Sequence, residues 1–207
     1  MNKQTLELFS GTGSFSKIAR EYGYKTLTLD NQPHLNPDVL GDIMSWEPPK
    51  GFKPLIIWAS PPCTQFSIAS VSAYKTYWNI GKEPPDVKYF YKTLELIALL
   101  KPKYWFIENP RGMARTLKFM RKVPRYTVSY CQYGFNVMKP TDIWSNIKGF
   151  QPKLCKNNRD CHERSPRGSR TGIQGKDNAQ DRGEIPPDLI RALLNTIQND
   201  NTLKRYY

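Results

Sequence analysis

Thr5-Leu6-Glu7-Leu8-Phe9-Ser10-Gly11-Thr12-Gly13-Ser14 decides how the chain is read. A mainly apolar, strand-like run enters a turn that carries two glycines. Phe15 to Tyr22 follows with Phe15, Ile18 and Ala19 on one helical face, and Gly23 ends it. Tyr24 to Leu29 reads as a second strand closing on Asp30. Strand, glycine turn, helix, strand and acid, in that order, predict a Rossmann-like unit that holds an adenosine group. The glycines let the backbone approach the ligand, and the acid accepts from ribose hydroxyls. A phosphate-binding P-loop is disfavoured, because no Lys-Ser/Thr pair follows the glycines.

Outward from this unit, Val39-Leu40-Gly41-Asp42-Ile43 offers a short third strand with a second acid after it. Asp30 or Asp42 alone would fit a helix cap or a polar loop; in register after two strands, both fit a ligand site. Leu55-Ile56-Ile57-Trp58 has the length and composition of a buried strand. Pro61-Pro62 then stops the ladder, since neither proline can donate a backbone N–H. Cys63 sits directly after this corner, followed by polar Thr64, Gln65 and Ser67. A thiol held at a strand end suits a nucleophile; a small buried cysteine beside a structural turn is the plainer reading.

Ser70 to Lys82 is a long loop with Tyr74, Tyr77 and Trp78. Pro84-Pro85-Asp86 opens a helix in which Phe90, Leu94 and Ile97 recur at helical spacing, and Lys101-Pro102 ends it. Tyr104 to Ile107 is the next buried strand, closing on Glu108-Asn109-Pro110. Strands alternating with helices predict a mainly parallel sheet flanked by helices, with ligands at the carboxyl ends of the strands. Gly11, Asp30, Asp42, Cys63 and Glu108 all fall at such ends. Arg111 to Arg125 is basic and reads in part as a solvated helix face. Arg125 to Cys131 and Asp142 to Asn146 read as a strand pair. Lys148 to Gly175 is polar, basic and aperiodic, an irregular insertion. Pro186-Pro187 starts a last helix with Ile190, Leu193 and Ile197 on one face, and the tail from Asn199 is expected to fray.

The 207 residues fit one domain, and a net charge of +13 points to a polyanionic partner, nucleic acid above all. No apolar run approaches a membrane span. The start passes straight into a strand, so no secretory signal is expected. Four cysteines make no disulfide framework for a chain this size and fit a reducing cytoplasm.

With these residues in hand, the chain resembles the cytosine-5 DNA methyltransferases. Leu8-Phe9-Ser10-Gly11-Thr12-Gly13 resembles that family's S-adenosylmethionine motif. Ser60-Pro61-Pro62-Cys63-Thr64-Gln65-Phe66-Ser67 resembles its catalytic motif. Glu108-Asn109-Pro110 resembles its Glu-Asn-Val tripeptide, with proline in place of valine. The short length and the Tyr133-Gly134-Phe135 to Trp144 stretch are most similar to small phage-encoded members. Three features depart from the family. The Gln-x-Arg-x-Arg motif is not intact: Gln132 is followed by Tyr133-Gly134-Phe135, and the nearest cation is Lys139. The large target-recognition domain is missing, leaving a basic insertion at about 148–182 within a single domain, 1–207. Ile185-Pro186-Pro187-Asp188-Leu189 resembles only the second half of the final motif.

The resemblance implies a Rossmann-like, S-adenosylmethionine-dependent methyltransferase. It implies Cys63, Glu108 and Lys139 as the catalytic set, and a cofactor held by Phe9, Ser10, Gly11, Thr12, Gly13, Asp30, Asp42 and Pro61. It also implies double-stranded DNA with the target base flipped, met by Gln65, Ser67, Arg111, Arg164, Arg167 and Arg170, in a bacterial or phage-infected cytoplasm. RNA as the substrate, or a catalytically weak nucleic-acid-binding protein, are the alternatives. No metal is expected. Cys155, Cys161 and His162, with Cys131 as a fourth, are weak candidates, because an extended chain would point adjacent Cys161 and His162 apart.

Overall fold

The computed structural model describes residues 3–67, 85–157, 161–163 and 183–203, with side chains through 200. Strands β1 (Gln4–Leu8), β2 (Lys25–Asp30), β3 (Val39–Leu40), β4 (Ile56–Ala59), β5 (Tyr104–Pro110), β6 (Arg125–Ser129) and β7 (Pro140–Ser145) form one sheet. Its order is β3-β2-β1-β4-β5-β7-β6. β1 to β5 are parallel; β7 lies antiparallel between β5 and β6. From the neighbouring pair β1 and β4 the chain winds outward in both directions, and such a switch point opens a crevice at the carboxyl ends of the strands.

Helices α1 (Ser14–Glu21), α2 (Lys88–Leu100) and α3 (Pro187–Leu203) cover the sheet. Strand alternation sorts the side chains. Ile56, Trp58, Tyr104 and Phe106 face α1 and α3, packing with Phe15, Ile18, Ile190, Leu193 and Ile197. Leu6, Leu8, Ile57 and Ala59 point the other way, toward Leu96 of α2. Trp58 stacks between Phe15 and Phe106, with ring centroids 5.3 and 5.6 Å away.

The structure departs from several expected elements: β5 runs on through Pro110, and β7 spans Pro140–Ser145. α2 begins at Lys88 rather than at the prolines, because the Lys88 N–H donates to Asp86 Oδ1 (3.0 Å) in a tight turn before the helix. β6 stops at Ser129, and residues 130–133 tighten into a 3₁₀ turn. The basic stretch after Arg111 is not a helix face but a 3₁₀ turn, Met113–Thr116, and further turns. Its Arg115 makes a two-pronged ion pair with fully buried Asp142 of β7, Nε to Oδ2 at 2.9 Å, and Thr127 donates to the same carboxylate. α3 runs on through Leu203, so the first part of the expected frayed tail is helical; Tyr104 Oη of β5 donates to Asp200 Oδ2 (2.6 Å) there. Among the described residues, no helix is long and apolar enough to cross a membrane.

Glu7 is the acid that the sequence reading passed over. It lies buried in β1 beneath the first turn of α1 and accepts the Phe15 and Ser16 N–H groups at 3.1 and 2.9 Å. It caps from the sheet a helix whose own N-cap, Gly13, has no side chain to do so. Burial pushes its pKa up from 4.5 to about 7, against the pull of the two N–H donors. Between those values the folded chain holds a proton that the unfolded chain has released. The stabilisation is therefore complete below about 4.5 and lost as pH rises through about 7. Glu7→Gln sets an amide NH₂ against one of the two donors and should lower stability by about 1–3 kcal/mol. It should also flatten the fall in stability over that pH interval in denaturant titrations; a variant with the parent's slope would contradict the assignment.

Candidate active site

The glycine turn leaves β1 through three left-handed residues, Phe9, Gly11 and Gly13, with φ of 55°, 51° and 70°. Such angles suit glycine and are strained for Phe9. The turn is pinned by Asp30 at the end of β2, which accepts the Gly11 N–H (2.8 Å) and the Gln32 N–H (3.0 Å). Asp30 is thus first a buried clamp on the turn, with lone pairs left over for a ligand. Asp42 follows β3, is exposed, and accepts the Met44 N–H at 2.9 Å. A Cβ built on Gly11 meets nothing within 4 Å, so the turn borders open space.

β4 ends at Ala59, and the proline corner carries Cys63 out beyond it. The Cys63 carbonyl accepts the Phe66 and Ser67 N–H groups at 2.9 and 3.0 Å, closing a compact turn. Two links then fasten this corner to the end of β5. Buried Asn109 donates from Nδ2 to the Pro61 carbonyl at 2.9 Å. Ser67 bridges to Gly112, and the Met113 N–H donates to the Phe66 carbonyl at 2.7 Å. Gly112 is extended, so its φ does not demand glycine; space does, because a Cβ would overlap the Phe66 carbonyl oxygen.

Glu108 lies beside this corner, 5% exposed in β5. Tyr130 Oη donates to its Oε1 at 2.8 Å, and the Ser60 hydroxyl, itself accepting from Trp58 Nε1 at 3.0 Å, also bonds the carboxyl. Lys139 is 7% exposed, with Nζ 4.6 Å from the centre of the Tyr130 ring and 3.4 Å from the Glu184 carbonyl. Burial raises the Glu108 pKa; Lys139, Tyr130 and Ser60 pull it down, and Asp142 pushes it up again. The Tyr130 phenol is held well above its usual pKa by burial and then by Glu108. Cys63 and Tyr130 sense one another electrostatically, which puts the thiol at the same cluster.

Cys63, Glu108 and Lys139 are therefore gathered at one place, and Pro61 is part of the corner. Ser10, Gly11, Thr12 and Gly13 line the neighbouring turn. Gln65 is occupied in the fold, its Oε1 accepting the Asp86 N–H at 2.6 Å. Arg111 is exposed nearby, its N–H donating to the Pro140 carbonyl. Arg164, Arg167, Arg170, Tyr74, Tyr77 and Trp78 lie outside the described residues. Tyr130 and Gly112 did not stand out in the sequence, and Asn109 did only as part of the Glu108-Asn109-Pro110 tripeptide, with no hint of its bond to Pro61. Only their contacts across the sheet give them a role.

Comparison with known proteins adds a relative of nearly equal length. The frog virus 3 (isolate Goorha) protein named "Probable DNA (cytosine-5)-methyltransferase" is 32% identical over 218 aligned positions, covering 91% of this chain and 97% of its own. The chain belongs to the DNA (cytosine-5)-methyltransferase family. No family model matches it. The fold is shared with solved methyltransferases. A candidate DNA modification methyltransferase encoded within an Escherichia coli prophage aligns with a TM-score of 0.53 at 16% identity over 74% of this chain. The Entamoeba histolytica methyltransferase EhMeth aligns at 0.50, 16% and 75%. The chain spans only 51% and 57% of those two proteins, so they speak to its fold alone.

In this family member, Asn109→Ala should free the cysteine corner. It removes the bond to Pro61 from a buried site and should lower stability by about 1–3 kcal/mol in denaturant melts. Alkylation of Cys63 by a small thiol reagent should change rate with it. A variant with both properties at parent values would refute the clamp.

Proposed function

We propose that the chain transfers a methyl group from S-adenosylmethionine to C5 of cytosine in double-stranded DNA through a covalent Cys63 adduct. The observation that carries this reading is the thiol corner fastened by Asn109 next to a buried carboxyl with a raised pKa.

C5 of cytosine is a weak nucleophile. The Cys63 thiolate adds to C6, and the ring electrons move toward C5 and N3. Glu108, whose pKa burial raises, donates a proton to N3 and accepts from the exocyclic amine. Tyr130 and Ser60 fix the orientation of that carboxyl. Lys139 supplies the positive charge that the altered Gln-x-Arg-x-Arg motif no longer provides, acting across the Tyr130 ring. S-adenosylmethionine would supply an electrophilic methyl group for C5, its methyl–sulfur bond breaking and the sulfur leaving as a neutral thioether. N3 returns its proton to Glu108, and loss of the C5 proton to solvent re-forms the C5–C6 double bond and expels the Cys63 thiolate.

The chain's residues fit this cofactor. The glycine turn borders open space, the Asp30 carboxylate anchors it, and Asp42 is exposed at the next strand end. We assign Phe9, Ser10, Gly11, Thr12, Gly13, Asp30, Asp42 and Pro61 to its binding. A base inside a duplex is out of reach, so the target nucleotide must flip out. Exposed Arg111 and the insertion bearing Arg164, Arg167 and Arg170 would meet DNA phosphates in place of a separate recognition domain. Gln65 and Ser67, which follow Cys63 on the same corner, are assigned to DNA contact as well.

The test is incubation with methyl-labelled S-adenosylmethionine and parallel DNA and RNA substrates. Label should appear at cytosine C5 of duplex DNA and be lost in Cys63→Ala. Glu108→Gln should slow labelling by about 10²–10⁴-fold with DNA affinity nearly unchanged. Label confined to RNA, or binding to DNA without label, would overturn the reading.

A further inference from the structure

Away from the thiol corner, Cys131, Cys155, Cys161 and His162 converge. Their ligand atoms all lie within 4.8 Å of one another. Cys161 Sγ is 3.8 Å from Cys131 Sγ, 3.6 Å from Cys155 Sγ and 3.4 Å from His162 Nδ1, and Cys155 Sγ is 3.8 Å from that nitrogen. We propose that these four side chains form a structural zinc site that ties the root of the basic insertion to the turn carrying Tyr130.

The spacing fits a tetrahedron. With Zn–S near 2.3 Å and Zn–N near 2.0–2.1 Å, neighbouring ligand atoms should be roughly 3.5–3.8 Å apart. The same separations exclude disulfides, whose sulfurs sit about 2.05 Å apart. None of the four cysteines is in a disulfide. Adjacent Cys161 and His162 do not point apart as in a strand; they lie in a bend that aims both at one point.

Sequence proximity explains none of Cys131's place in this group. Backbone ties bring the segments together. The Ser129 N–H donates to the Lys153 carbonyl (3.0 Å), the Cys155 N–H to Ser129 Oγ (3.1 Å), and the Glu163 N–H to the Asn136 carbonyl (2.7 Å).

A second observation concerns the sulfurs themselves. Gln132 Nε2 donates to Cys161 Sγ at 3.3 Å and Cys131 Sγ at 3.7 Å, and the Asn157 N–H donates to Cys155 Sγ at 3.2 Å. N–H donors aimed at each sulfur suit metal-bound thiolates, which need their charge spread. Three cysteines and one histidine fill a tetrahedral shell. No position is left for a reacting water, so the site is structural. Binding converts three thiols to thiolates and releases three protons to solvent, leaving a net charge of −1, with no electron transfer.

The position gives the ion its purpose. Cys131 directly follows Tyr130, which holds Glu108. Glu163, next to His162, directly precedes Arg164 in the sequence. One ion would fix both the support of the buried carboxyl and the residue that precedes the arginine-bearing stretch in sequence.

The full chain, purified without chelator, should carry about one zinc per molecule by elemental analysis. Cobalt(II) exchanged into it should show the visible bands and thiolate charge transfer of a tetrahedral sulfur-rich site. Cys155→Ser and Cys161→Ser should each lower zinc affinity at least tenfold, while Cys63→Ser keeps full stoichiometry. Should the ligand variants fail to fold, a mercurial thiol reagent added to the parent chain should release its zinc as the thiols react. A folded chain that takes up neither zinc nor cobalt from buffer would overturn the proposal. So would a Cys155–Cys161 disulfide found by mass spectrometry of the chain purified under reducing conditions. None of these readouts depends on methyl transfer, so the site stands or falls apart from the proposed reaction.

Discussion

The architecture of the site turns on the cost of burying Glu108. A carboxyl with 5% exposure at the end of a parallel strand must either find donors or keep its proton. This one does both. Tyr130 and Ser60 bond it, Lys139 lies within electrostatic reach, and burial still outweighs their combined pull. The raised pKa is therefore a product of where β5 ends. That strand is central, covered on both faces, and its neighbour β4 delivers the cysteine corner at the same level of the sheet.

Burial alone would not position a thiol. Asn109 and Gly112 convert the sheet's rigidity into a fixed place for Cys63. One joins its side chain to the Pro61 carbonyl; the other lets two backbones approach more closely than any side chain would permit. Beside this corner, in register with Asn109, Asp142 binds Arg115 and Thr127 and keeps β7 locked against β6 and the turn after β5. Because β7 is antiparallel, it starts at the carboxyl end of β5 and places Lys139 there; β6 runs parallel to β5 and delivers Tyr130 to the same end. Glu7 performs a similar service for α1, and through it for the glycine turn.

The fold was legible because its signals are local. The glycines of the first turn, the acids after β2 and β3, and the proline stop after β4 each announce a strand end within a few residues. Their convergence then follows from parallel topology. What escaped were roles set by partners far along the chain. Tyr130 acts on Glu108, 22 residues away, and Asn109 on Pro61, 48 away. Arg115 looked like surface charge until Asp142 was placed beside it. Periodicity carries no information about such pairs, because one face of a strand has many possible neighbours. Cys131 was named with Cys155, Cys161 and His162, but the contacts that bring it to them are the backbone ties of Ser129 and its neighbours, which the sequence does not announce.

The account is tested most directly by trapping. A proton must leave C5 before Cys63 can be expelled, and fluorine at C5 cannot leave as a cation. Duplex DNA with 5-fluorocytosine at the methylated position should give a complex that survives denaturing electrophoresis and forms only with S-adenosylmethionine. Mass spectrometry of its peptides should place the base on Cys63. Cys63→Ser should lose the complex, because its hydroxyl is scarcely ionised at neutral pH. An adduct on another cysteine, or methylation that proceeds without Cys63, would contradict the account.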